Sequence, residues 1–178
     1  MFDLMIDIET LSTENNAAIT QIGACYFDRE TGEIEKEFLV NIDIEYYDSK
    51  EGKQFDISGK TLKWWFEQEE HTFLDYKKIE TMFLPQALTE LNSFARRADN
   101  IWSHASFDMP IITEAMSRNG LVPSWNYYKL RDIRTLKDLA GLNKSQMPTM
   151  KNKKTHNALD DCRFQVEYCT AYFKALKK

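Results

Sequence analysis

The feature that most constrains this chain lies at its start, in Phe2-Asp3-Leu4-Met5-Ile6-Asp7-Ile8-Glu9-Thr10. A short apolar run, broken by neither Gly nor Pro, predicts a buried strand. Strand side chains alternate faces, so Asp7 and Glu9 share one. Neighbouring carboxylates at a strand end repel each other unless a positive group lies between them, and a cation with oxygen ligands would serve. The same pattern also fits a strand running out into a polar turn.

The rest of the chain sets a strand-rich start against an alternating end. Ile19–Phe27 and Ile34–Ile42 predict two more strands, joined across a turn containing Thr31-Gly32. Together with the first they form an antiparallel meander. Asp43–Lys60 is polar and predicts a long surface loop. Thr61–Glu70 predicts a short helix with Leu62, Trp65 and Phe66 on one face and Trp64 off it. Leu84, Ala87, Leu88, Leu91, Phe94, Ala95 and Ala98 recur at helical spacing, placing a helix around Thr81–Ala98 with Pro85 in its first turn.

Asn100–Ala105 predicts a fourth strand, and a helix follows from Ser106 to Gly120, with Asp108 at its expected N-cap. Trp125–Leu130 is a candidate fifth strand, and Ile133–Ala140 a short helix closed by Gly141. A basic loop, Leu142–Thr155, leads to a last helix over Ala158–Leu176 with Asn157 and Asp160 as a capping pair. Three strands followed by alternating strand and helix predict an α/β fold: a mixed five-stranded sheet, antiparallel then parallel, flanked by helices. Sites in such sheets gather at strand ends and helix N-termini, where Asp7, Glu9, Asp108 and Asp161 all fall.

Composition bounds the rest. The 178 residues suit a single domain over 1–178. No apolar run reaches a membrane span, and the N-terminus lacks an export-type segment, so no membrane partner is expected. Cys25, Cys162 and Cys169 have no CxxC spacing and read as reduced core thiols of a cytoplasmic protein. A net charge of −5 argues against a protein that coats nucleic acid, but not against an enzyme gripping a few phosphates.

Singly, Asp108 could be a helix cap and Asp161 a favourable charge in a first turn. Jointly, Asp7-Ile8-Glu9-Thr10, Ser106-Phe107-Asp108 and His156-Asn157-Ala158-Leu159-Asp160-Asp161 resemble the three exonuclease motifs of the DEDD superfamily. His156, five residues before the last acid, resembles the DEDDh branch. The segments Leu62–Trp65, Trp102–Asp108 and Arg131–Thr135 resemble small stand-alone RNase AS-like exoribonucleases and phage exodeoxyribonucleases.

The resemblance implies a ribonuclease H-like fold and metal-dependent 3′–5′ removal of nucleoside monophosphates from single-stranded ends or 3′ overhangs, with RNA slightly favoured over DNA. It implies Asp7, Glu9, Asp108 and Asp161 as ligands of two Mg²⁺ or Mn²⁺ ions, with His156 as general base. Thr10 and Leu11 would lie against the terminal nucleotide, and the stand-alone relatives suggest a homodimer. Phe107 and Trp64 could stack on bases or belong to the core. Lys144, Lys151, Lys153 and Lys154 could track phosphates or simply be solvated, and His71 and His104 are structural or peripheral. Two other outcomes are a DNA-specific exonuclease and a non-catalytic module binding a nucleic-acid end or a protein; the latter's expected mark, a missing acid, is not seen.

Overall fold

The computed structural model describes residues 2–68, 80–143, 146–147 and 156–177. Its centre is a six-stranded sheet in the order β4-β3-β2-β1-β5-β6. Strand β1 (Asp3–Thr10) pairs antiparallel with β2 (Ile19–Phe27), which pairs antiparallel with β3 (Ile34–Ile42). On the other side β1 runs parallel to β5 (Asn100–Ser103), and β5 parallel to β6 (Leu130–Asp132). The expected mixed sheet is present. Its additional strand is the two-residue β4 (Thr81–Met82), parallel to the edge of β3 and too short to leave a pattern in sequence.

Alternation along β1 divides the core. Leu4, Ile6 and Ile8 face a cluster built with α2 (Leu84–Phe94) and α3 (Asp108–Arg118). Met5 faces a second cluster with α4 (Ile133–Ala140) and α5 (Ala158–Leu176), in which Cys25, Cys162 and Cys169 are buried free thiols. Asp3, Asp7 and Glu9 therefore lie on the α5 side of the sheet.

The close approach of α5 is written into β2. Gly23 pairs with Asp7, and a Cβ there would lie 2.3 Å from the Ala158 carbonyl carbon. No larger residue fits without moving the helix. Two positions along, Gln21 Oε1 accepts the Ala158 amide at 2.6 Å, and Asn157 caps the helix by accepting from the Leu159 and Asp160 amides. These contacts fix the first turn of α5, and with it Asp161, over the acidic end of β1.

Several predicted boundaries move. Trp125–Leu130 is not a strand: Trp125 packs in the core, Tyr127–Lys129 form a 3₁₀ turn, and the ladder begins at Leu130. Asp43–Lys60 is not a plain surface loop, because it holds two 3₁₀ turns, the first burying Tyr46 and Tyr47, and Phe55 packs against both rings. Helix α1 (Gly59–Phe66) starts two residues earlier than expected, capped by Ser58, and exposes Phe66 while burying Trp65. The residues around Thr81 form β4, and α2 begins at Leu84 with Pro85 in its first turn. Among the described residues, no helix is long and apolar enough to cross a membrane.

Candidate active site

A cavity of about 450 Å³ opens at the C-terminal end of β1. Its lining includes Asp7, Glu9, Asp108, Asp161 and His156, contributed by elements from both ends of the chain. Potential ligand atoms form two groups, Asp7–His104–Asp108 and Glu9–His156–Asp161, and within each they lie within 4.8 Å of one another. Asp7, Glu9, Asp108 and Asp161 are each less than a tenth exposed.

Two of the acids, Asp7 and Asp108, are held by identifiable hydrogen bonds. The Asp7 carboxylate accepts from Gln165 Nε2 at 2.6 Å. Gln165 lies four residues beyond Asp161 on α5, hence on the same helix face. Asp108 is the first residue of α3 but does not cap it; Phe107 holds the N-cap position. The Asp108 carboxylate instead accepts the His104 amide at 2.8 Å and also the Ile8 amide, tying the β5–α3 junction to β1. Burial, reinforced by the nearby charge of Asp7, pushes the Asp108 carboxyl well above the usual carboxylate range. A bound cation would relieve that repulsion, so the donor set fits one: carboxylate oxygens, with one imidazole in each group.

His156 occupies the left-handed region at φ 56°, immediately before the cap of α5. Histidine is among the few non-glycine residues enriched there. Its ring meets the edge of Trp64 at 4.9 Å and that of Trp65 at 5.9 Å between centroids. Trp65 is in turn fixed by a 2.9 Å bond from its indole N–H to the Thr10 carbonyl. Helix α1 thus joins the end of β1 to His156.

The predicted substrate residues divide. Thr10, Phe107 and Trp64 line the cavity, and Trp64 is 41% exposed. The Thr10 hydroxyl already donates to the Ser12 carbonyl. Leu11 packs in the core and is outside the cavity lining. Lys144, Lys151, Lys153, Lys154 and His71 lie outside the described residues. Two residues of the site were not anticipated. His104 comes beside Asp7 and Asp108 only through the fold, although it stands four residues before Asp108. Gln165 could have been read from its spacing to Asp161.

The sheet order and flanking helices define an exonuclease-type ribonuclease H-like fold. An exonuclease I from Methylocaldum szegediense superimposes with a TM-score of 0.72 at 12% identity, covering 99% of this chain and 41% of that one. E. coli exonuclease I in complex with a dA16 oligonucleotide gives 0.66 at 10% identity, covering 99% and 42%. This chain thus spans well under half the length of those enzymes. The chain belongs to the 3′–5′ exoribonuclease Rv2179c-like domain family, whose model matches residues 2–173. Comparison with curated proteins gives no match.

Proposed function

We propose that the chain is a metal-dependent 3′–5′ exonuclease of the DEDDh type, a single catalytic domain over residues 1–178. It hydrolyses phosphodiester bonds at the 3′ end of a single strand or 3′ overhang and releases nucleoside monophosphates. The observation that carries this is the gathering of Asp7, Glu9, Asp108, Asp161 and His156 around one cavity.

Asp7 and Asp108 would hold one divalent cation, and Glu9 and Asp161 a second, with Mg²⁺ or Mn²⁺ suited to these oxygen donors. When bound, such ions supply charge stabilisation at the phosphoryl group and lower the pKa of water. His156 takes the proton from the attacking water, its imidazole held at the cavity by the edges of Trp64 and Trp65. The water oxygen bonds to phosphorus, the P–O3′ bond breaks, and the departing 3′ oxygen takes its proton from solvent. Trp64 and Phe107 offer flat surfaces for the terminal base, a mode of grip that is tolerant of sequence.

The family description favours RNA as substrate. Exonuclease I structures bound to dA16 and dT13 oligonucleotides favour a DNA-directed reading. Buried thiols at Cys25, Cys162 and Cys169 fit a reducing compartment such as the cytoplasm. The test is incubation of 5′-labelled RNA and DNA oligonucleotides with Mg²⁺ or Mn²⁺, beside a sample in EDTA. A ladder shortening from the 3′ end, abolished by EDTA, supports the enzyme and ranks the two polymers. Binding without shortening points to a non-catalytic module.

A further inference from the structure

Arg131-Asp132-Ile133-Arg134-Thr135 contributes none of the site's acids, yet its residues have separate duties at the β6–α4 junction. Asp132 caps α4, accepting from the Arg134 and Thr135 amides. Ile133 is buried in the second core cluster. The Arg131 guanidinium turns back to the Tyr128 and Leu130 carbonyls. The Arg134 guanidinium points differently: it donates to Ser106 Oγ at 3.2 Å, and its charge is felt by Asp108. Both junctions open at the same end of the sheet, because Ser103 of β5 is in register with Asp132 of β6.

We propose that Arg134, together with the Ser106 hydroxyl, grips a backbone phosphate of the nucleic-acid strand just upstream of the bond being cut. This rests on the exonuclease reading of the site. Both residues are exposed, so a strand can reach them. Arg134 and Ser106 lie beside the cavity rather than within its lining, so they meet the strand beyond the terminal nucleotide. A guanidinium with a neighbouring hydroxyl offers several N–H and O–H donors to phosphate oxygens, without regard to base. The clustered carboxylates repel a polyanion, and a cation at this rim opposes that repulsion where the strand enters.

The experiment is fluorescence anisotropy of a single-stranded oligonucleotide protected by 3′ phosphorothioate linkages, in Mg²⁺, between 50 and 200 mM salt. A lost phosphate contact flattens the salt dependence by roughly 0.7 in log–log slope for a single strand. Wild type should therefore lose about 2.6-fold more affinity than Arg134→Gln over that range. Arg134→Lys should restore the slope. A nucleoside 5′-monophosphate, having no upstream phosphate, should compete equally well for both proteins. Equal slopes in wild type and Arg134→Gln overturn the proposal, as does an equal loss of mononucleotide affinity. A wild-type protein that neither binds this oligonucleotide nor shortens an unprotected one overturns the exonuclease reading as well.

Discussion

At the N-terminal end of β1, Asp3 is 1% exposed and its carboxylate is paired with the Arg29 guanidinium. The Trp102 indole and Asn100 amide add further bonds, and Arg29 lies over the Phe173 ring. At the C-terminal end of the same face, Asp7 receives the neutral Gln165 amide and is close enough to Asp108 to raise its pKa. One end satisfies a buried charge with the protein's own cation and aromatic packing. The other collects carboxylates in an open cavity, where an exogenous cation would complete them. On the exonuclease reading proposed above, burying an acid is a structural act at Asp3 and a functional one at Asp7, and the partner decides which.

The contrast can be broken at either end. Replacing Asp7 with Asn should have the largest consequence, a loss of exonuclease turnover on the order of 10³-fold. The folded state should be undiminished, because the repulsion on Asp108 falls. A steady-state assay and a thermal melt check both halves. Asp3→Ala should do the reverse. Removing one partner of a largely buried pair strands Arg29 and the indole N–H, costing about 3 kcal/mol in urea unfolding. Turnover per folded molecule should persist. Equal activity losses in the two variants would erase the distinction.

Gln165→Leu sharpens the comparison. It removes the donor that orients Asp7, and outer partners of this kind change metal affinity by about tenfold. Calorimetric titration with Mn²⁺ reads this directly, and unchanged affinity would make Gln165 mere packing.

Why some of this was legible in sequence and some was not follows from the kind of contact involved. The acidic strand, Ile133–Ala140 and Ala158–Leu176 were readable because an unbroken apolar run, helical spacing and the closing Gly141 are local signals. The placement of Trp125–Leu130 failed because its aromatic residues mimic strand composition, while Trp125 is claimed by the first core cluster. Tyr46 and Tyr47 looked like loop residues since their burial depends on distant partners, such as the Ile19 carbonyl that accepts from the Tyr47 hydroxyl. At the site, the acids were visible from their motif spacing. The approach of His104 to Asp7 is a tertiary fact with no local signature.

The smallest expected effect concerns pH. The folded state keeps Asp108 protonated above its ordinary value of 3.8, whereas the unfolded chain releases that proton there. Proton uptake by the native state then exceeds that of the unfolded state, so stability declines as pH rises from 3.8 through the raised value. In EDTA the melting temperature should fall as pH is raised over that interval. Asp108→Asn should flatten that trend.

Where divalent ions settle is the most direct test of the proposed metal-dependent site. Crystals soaked in Mn²⁺ with a nucleoside monophosphate, measured by anomalous scattering, should give peaks beside Asp7, within reach of Asp108 and of Glu9 with Asp161. Strong Mn²⁺ peaks elsewhere, with none in this cavity, would contradict it.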